Sequence, residues 1–347
     1  MRTDFERVSL PLERPFTIAR GTQTTAENVV VRIDDGDDIG VGAAAPSARY
    51  GETPATVEAV LPDLLAAVED VDDPLAFDAI DDRLDAAVGD NPAAKAGVRI
   101  ALHDLAAKRL SVPLYRLLGL DPDRTVTTSY TIGLDDTEIM RERAAEAVDA
   151  GYGVLKTKLG TDRDREIVRA VREAAPDARL RVDANEAWRP REAVANCEFL
   201  AEHGVEFCEQ PVPADHPEGL QYVHERSAVP IAADESCVTL SDVPRAAGAC
   251  DVANIKLMKC GGPRQAVAMV HAARAHDLEV MLGCMVETNA AIAAACHLVP
   301  LVDYADLDGA LLLAEDRYQG VPMPDGTVDL AAVDRSGTGA RRGRGPD

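Results

Sequence analysis

"GVLKTKLGTDRDREIVRAVREAAPDARLRVDAN", residues 153–185, holds a short apolar run, an amphipathic stretch and a second short apolar run. Thr161 ahead of "DRDREIVRAVREA" is a helix-start signal, so the segment reads as strand, helix, strand. The same rhythm recurs about every 25 residues: "TTSYTIG" (127–133) lies before it, and "VEFCEQ" (205–210), "VPIAAD" (229–234), "VANIK" (252–256), "LEVMLG" (278–283) and "VDYADLD" (302–308) follow. Pro190 ahead of "REAVANCEFLAEH", closed by Gly204, marks another of the intervening helices. Eight strands, each followed by a helix, predict an α/β fold: a (β/α)8 TIM-like barrel, with its working residues at the C-terminal ends of the strands. A doubly wound open sheet would need a glycine-rich phosphate turn after its first strand, and "IGLDDTE" (132–138) is not one.

Upstream of the barrel the pattern differs. "ERVSLPL", "NVVVRI" and "GVGAAAP" read as strands within the first 45 or so residues, and Thr53 to Leu118 turns helical. The expected organisation is an α+β capping domain over residues 1–124, a catalytic barrel over 125–318, and a C-terminal return segment over 319–347 that completes the cap. "DRSGTGARRGRGPD" at the end has no apolar pattern, and lack of structure is expected beyond about residue 335.

With 60 acidic against 36 basic residues the formal charge is −24, which repels nucleic acid phosphates and anionic lipid. Acidic stretches such as "DDGDD", together with scarce lysine, resemble the surface of a protein adapted to high salt, a halophilic trait. None of the seven cysteines stands in a C-x-x-C pair, and the odd count favours reduced thiols in a cytoplasm. The N-terminus has no signal-like apolar region, and no apolar run is long enough to span a membrane. The expected partners are a small-molecule carboxylate and further copies of the chain, with no nucleic acid and no membrane.

Successive strand ends carry Lys156 and Lys158, Asp183, Glu209, Asp234, Lys256, and Asp306 with Asp308. Side chains two apart on a strand face the same way, so these groups converge on the barrel mouth. Any one acid alone reads best as a helix cap. Three acids ending three consecutive strands repel one another unless a cation sits between them, and a hard cation such as Mg2+ suits three carboxylates. Only six lysines occur, and four of them lie in "KTK" and "IKLMK". Lysine, unlike arginine, can lose its proton at useful pH, and Lys156 beside Lys158, with a divalent cation nearby, is the arrangement expected to lower the pKa of one of them. Lys256 lies four strands after Lys158, across the mouth; Lys259 falls past the strand end, as a supporting residue or helix start.

"KTK", "DAN", "EQP", "ADES", "NIKLMKCGG" and "DLD" together resemble the enolase superfamily, in its muconate lactonizing enzyme subgroup, and most of all dipeptide epimerases of the L-Ala-D/L-Glu type. The resemblance implies Mg2+ on Asp183, Glu209 and Asp234, and Lys158 and Lys256 as an acid/base pair on opposite faces of the substrate. Lys156 would tune Lys158 and help neutralise the substrate carboxylate, with Asn185, Glu235 and Lys259 supporting the first set. The activity implied is an isomerase reaction: an α-carbon inverted by 1,1-proton transfer through an ene-diolate. Asp306 and Asp308 would receive a dipeptide's free ammonium. The loops "FTIARGTQT" (16–24) and "ARYGET" (48–53) would close over the mouth and offer Arg20 and Tyr50 to the substrate, while Met285 and Glu287 would form pocket wall.

The alternatives within the same fold are a muconate-type cycloisomerase, an o-succinylbenzoate synthase or an N-succinylamino acid racemase; a non-catalytic barrel serving as a binding module is a further one. The seventh strand ends without histidine, which counts against a mandelate racemase-type His/Asp base.

Overall fold

The computed structural model describes residues 1–343. The chain opens with a three-stranded antiparallel sheet, β1 (Arg2–Ile18), β2 (Gly21–Asp34) and β3 (Ile39–Ala44), followed by helices α1 (Pro54–Val71), α2 (Phe77–Ala87) and α3 (Pro92–Arg109). α3 lies across β3 with its residues Ala93 to Ala107 all buried. The approach is very close. A Cβ at Gly40 would stand 2.1 Å from Ala101 O and one at Gly42 2.3 Å from Gly97 O, so the glycines of "GVG" are what let the helix backbone rest on the strand.

The segment expected to be a loop over residues 16–24 is instead the far end of the β1–β2 hairpin. Ile18 pairs with Gly21, and Arg20 sits in the two-residue turn. The polar run "GTQTT" (21–25) hides the start of β2 from a hydrophobic pattern because all five of its residues are exposed. Residues 48–53 form a short 3-10 turn (Ala48–Tyr50), capped by Ser47 and closed by Gly51 in the left-handed region.

Eight parallel strands follow: β4 (Tyr130–Ile132), β5 (Val154–Lys158), β6 (Arg179–Asp183), β7 (Val205–Glu209), β8 (Ile231–Ala233), β9 (Val252–Lys256), β10 (Glu279–Gly283) and β11 (Tyr304–Asp306). Each is paired to the next in sequence order. A parallel bridge between Thr128 and Ala305 closes the ring, reinforced by Ser129 N donating to Ala305 O at 3.1 Å. The helix following β5, Asp164–Ala174, shows how sequence sets the local turn. Ile167, Val168 and Val171 face the barrel at helical spacing. The buried Asp164 carboxylate accepts from Gly160 N, Thr161 N and Trp188 Nε1 at 2.8–3.0 Å, which fixes the strand-to-helix corner.

Period-two alternation sorts the barrel interior into layers. Toward the N-terminal ends, Phe207, Ala232, Val252 and Met281 pack together with Tyr304. Arg181, fully buried, lies over the Phe207 and Tyr304 rings and donates to Ala305 O. One step further along the strands come the charged ends, held above this plug at the mouth.

The C-terminal return is ordered further than its composition suggests. Among residues 336–343, Gly337 N donates to Val112 O at 2.9 Å and Leu114 N to Gly337 O at 2.7 Å, while Arg341–Arg342 pairs with Tyr318–Gln319. The expected lack of structure beyond residue 335 is therefore overturned through residue 343; residues 344–347 lie outside the described residues. The organising group is Asp104 of α3. Fully buried, it accepts from Val41 N (2.8 Å), Thr338 N (2.7 Å), Thr338 Oγ1 (3.1 Å) and Lys108 Nζ (2.7 Å). Side chain to backbone anchoring needs no apolar periodicity, which is why the sequence pattern misses it. Asp104→Ala is expected to lower the unfolding free energy by about 2–4 kcal/mol, read from a urea melt, because it leaves two backbone N–H groups without their acceptor, while the half-buried Lys108 keeps Ile39 O as a partner.

Candidate active site

Register delivers the charged residues to one level. Lys158 pairs with Asp183, and Asp183 with Glu209, across β5, β6 and β7. Lys256 and Asp306 both align with Gly283 of β10. Asp234 directly follows β8. That the seventh strand ends in Gly283, with no side chain, has a steric reason. A Cβ there would come within 2.5 Å of Asn254 Oδ1 and 3.0 Å of Lys256 Cε, so the absence of a side chain opens the path along which Lys256 reaches the mouth.

The structure brings the lysines and acids together as interleaved ion pairs. Lys158 Nζ donates to Asp183 Oδ2 at 2.7 Å, and Lys256 Nζ to Asp234 Oδ2 at 2.7 Å, from opposite sides of the ring. Lys156 Nζ lies 2.7 Å from Asp306 Oδ2, 2.6 Å from Glu209 Oε2 and 3.5 Å from Asp183 Oδ2. Lys259 is fully buried below the floor; its Nζ donates to Asp234 Oδ1, Asp234 O, Asn254 O and Cys237 O at 2.6–2.9 Å. Gln210 ties the ends of β7 and β8 together, its Oε1 accepting from Asp234 N and Ser236 N at 3.0 Å.

These pairs set the protonation states. Burial works against the charge on Lys156, but Asp306, Glu209 and Asp183 overcome it and hold its pKa well above the usual lysine value. Lys256 is raised in the same way, with Asp234 and Glu209 outweighing burial. For Lys156, three surrounding carboxylates count for more than one neighbouring ammonium. Asp234, buried but paired with Lys256 and Lys259, is held far below the ordinary carboxylate range, as is Asp306 by Lys156 and Lys158. Glu209 goes the other way, pushed up to about 7 by burial and by Asp183.

Among the described residues no three acidic, histidine or cysteine side chains close up into a cage around a point. The donor set nevertheless fits a hard divalent cation. Three fully or nearly fully buried carboxylates end consecutive strands, and Glu209 carries the strain of their mutual repulsion. Several buried oxygens here lack a hydrogen bond of good geometry, among them Asn185 Oδ1, Asn254 Oδ1 and Glu209 Oε2, the last meeting Lys156 as an ion pair only. Asn185 itself, in a left-handed backbone conformation, donates from Nδ2 to Asp183 Oδ2 at 3.1 Å.

Above the charged floor lies a cavity of about 820 Å³, roofed by the cap. Lys156, Lys158, Lys256, Asp234, Asn185, Asp306 and Asp308 line its base, and Arg20, Tyr50 and Met285 its walls. Asp308 Oδ2 accepts from Thr131 N at 2.6 Å, and burial together with Asp306 pushes its carboxyl up to about 7. Glu287, expected as pocket wall, is not in the lining. It is buried behind it, accepting from Met285 N at 2.7 Å and so shaping the turn that presents Met285. Cys284 shows at the wall with burial raising its thiol well above the usual range, which suits packing.

Pattern reading misses the latch at the roof. Glu186 Oε1 and Oε2 accept from Arg49 Nη2 and Nε, both at 2.7 Å, and Arg20 Nη2 lies 2.7 Å from the buried Glu235 Oε1. Cap and barrel are thus joined by arginines whose carboxylate partners sit immediately after "DAN" and inside "ADES". Asn254, two before Lys256 and hence on the same inward face, donates to Glu209 Oε1 at 2.8 Å. Its position in "NIK" is the one signal that could have found it.

All seven cysteines are free. Among the described residues no helix is long and apolar enough to cross a membrane.

Comparison with known proteins agrees with this architecture. Residues 139–341 match the family model of the enolase C-terminal domain-like group, and residues 2–119 that of the mandelate racemase / muconate lactonizing enzyme N-terminal domain. The chain is 39% identical over 332 residues to the L-Ala-D/L-Glu epimerase of Bacteroides thetaiotaomicron, covering 95% of this chain and 85% of that protein. Among solved structures it resembles the dipeptide epimerase of Enterococcus faecalis V583 complexed with Mg and the dipeptide L-Leu-L-Tyr, with a TM-score of 0.91, 35% identity, and coverage of 98% of this chain and 99% of that one. A substrate-liganded L-Ala-D/L-Glu epimerase from Bacillus subtilis gives a TM-score of 0.90 at 31% identity, with 98% of each chain covered.

Proposed function

This chain belongs to the enolase superfamily, in the family of mandelate racemase and muconate lactonizing enzyme, and within that family we propose that it is a Mg2+-dependent dipeptide epimerase, inverting an α-carbon by 1,1-proton transfer through an ene-diolate. The observation that carries this reading is the facing pair of lysines. Lys158 on β5 and Lys256 on β9 stand four strands apart in a ring of eight and project into one cavity from opposite sides. One ammonium or amine on each face of an α-carbon is what inversion requires.

Asp183, Glu209 and Asp234 would hold Mg2+, which supplies positive charge to the substrate carboxylate as the α-proton leaves. The chain's own groups do the rest. Lys158 takes the proton from one face and Lys256 returns one to the other, the roles reversing with the direction of reaction. For Lys256, Asp234 and Glu209 raise the pKa, so any share of those oxygens' charge directed elsewhere makes its proton easier to give up. Lys156, held charged by three carboxylates, stabilises the negative charge that develops on the substrate. Arg20 and Tyr50 close the roof over the substrate, and Met285 bounds its side.

Asp306 and Asp308 favour a dipeptide over an N-acylated substrate, because a buried pair of carboxylates at the mouth suits a free α-ammonium. Asp308→Asn is expected to reduce kcat/KM for dipeptides by about 30-fold or more, the cost of truncating one side of a buried charge pair, while N-acylated amino acids gain nothing from the native aspartate. Equal loss on both substrate classes would remove the assignment. The reading as a whole is tested by incubating the protein with Mg2+ and a set of L,L-dipeptides in D2O. A single deuteron should enter a non-exchangeable carbon, dependent on Mg2+ and on both lysines; no incorporation into any dipeptide would overturn it.

The net charge of −24 supports a further reading, adaptation to a salty medium. Tm is expected to rise by several degrees as KCl is raised from ~0.1 M to ~1 M, where the screening length falls from about 10 Å to about 3 Å. A flat or falling Tm would leave the acidity without that meaning.

A further inference from the structure

A second cavity, of about 230 Å³, adjoins the first and has no part in the chemistry just described. The two share a wall made of Phe16, Thr131 and Leu312. Thr131 is also the residue whose backbone N–H is bonded to Asp308 at 2.6 Å. We propose that this second cavity is the subsite for the side chain of the substrate's N-terminal residue, and that it selects dipeptides whose N-terminal residue is large and apolar or aromatic.

The inference rests on the dipeptide reading above and follows from connectivity. With the free ammonium at Asp308, the α-carbon of the N-terminal residue is one bond away, beside Thr131. Its side chain then leaves toward the shared wall. Beyond that wall the lining is suited to an aromatic or branched apolar group. Tyr130 and Tyr152 meet in a tilted pair with ring centroids 4.8 Å apart. Gly133 and the small Ala147 and Ala150 leave the space open. Gly133 also makes room for the partition itself. A Cβ at that position would stand 3.0 Å from Phe16 Cδ2, so its absence makes room for the Phe16 ring in the shared wall. At the rim Arg14 Nη1 pairs with Glu146 Oε2 at 2.8 Å, and the more buried Arg143 pairs through Nη2 with Asp135 Oδ2 at 2.7 Å. Each arginine already faces a carboxylate, and although Arg143 Nε has no hydrogen-bond partner, an acidic side chain entering here would have to compete with Asp135 and Glu146.

The test is a substrate series with a fixed C-terminal residue and N-terminal Gly, Ala, Leu, Phe or Asp, with kcat/KM read from α-proton exchange at the C-terminal residue in the Mg2+-loaded protein. Leu and Phe are expected to exceed Gly by about 10-fold or more, the discrimination typical of an apolar pocket, with Asp below Ala. Ala150→Trp, which fills the second cavity from its rim, should lower the Phe-to-Gly ratio by about 10-fold. Tyr152→Ala, which enlarges the cavity, should shift the preference further toward the bulkiest residue. A ratio near one for the native protein, or a ratio unmoved by both variants, overturns the inference while leaving epimerisation in place. Exchange in none of the series overturns the dipeptide reading and this inference with it.

Discussion

Lys158→Ala and Lys256→Ala are each expected to lower kcat for epimerisation by about 10²–10⁴-fold, the range that a positioned acid or base contributes, with KM changed far less. Each lysine reaches the cavity from its own side of the barrel, bonded at 2.7 Å to a different carboxylate, so neither can take over the other's face. Arginine at either position should rescue little, because a guanidinium keeps its proton at every useful pH. Retained epimerisation in either alanine variant, measured by chiral separation of the product, would mean that the facing pair is an accident of packing.

Asp234→Asn should have the second largest effect, and on two quantities at once. Its carboxylate is the shared partner of Lys256 and Lys259, each within 2.7 Å. Neutralising it leaves two buried ammonium groups short of their partner, at a cost of about 3–5 kcal/mol in unfolding free energy. It also removes one of three oxygen donors proposed for Mg2+, which should lower kcat/KM by about 10³-fold or more through weaker charge stabilisation. Calorimetric titration with Mg2+ separates the two: native-like affinity in a folded Asp234→Asn protein would take Asp234 out of the metal site while leaving its structural part intact.

The barrel was legible because parallel strands buried on both faces must be short apolar runs, and because what ends them has to face the mouth. The run from Lys156 to Asp183 carries that logic in a single strand–helix–strand unit. The charged floor was legible for the same reason, each member standing at a strand end two residues from an inward neighbour. What escaped were interactions that leave no periodic trace. Asp104 anchors Thr338 through backbone and hydroxyl hydrogen bonds, so an apolar-poor tail is ordered through residue 343. Arg49 finds Glu186 across 137 residues of sequence, with no spacing to announce it. On the β2 side of the hairpin tip, residues 21–25 are exposed and without apolar members, and so read as loop. Glu287 sits near the mouth in sequence, yet its carboxylate turns inward to Met285 N.

The most direct test of the two-lysine account follows exchange and inversion separately in D2O. In the Mg2+-loaded native protein, deuterium should appear in the product epimer as it forms. In Lys158→Ala and Lys256→Ala, inversion should vanish, while residual exchange with retained configuration survives for one epimer only, and for opposite epimers in the two variants. Exchange of the same epimer in both variants would contradict the assignment of one lysine to each face.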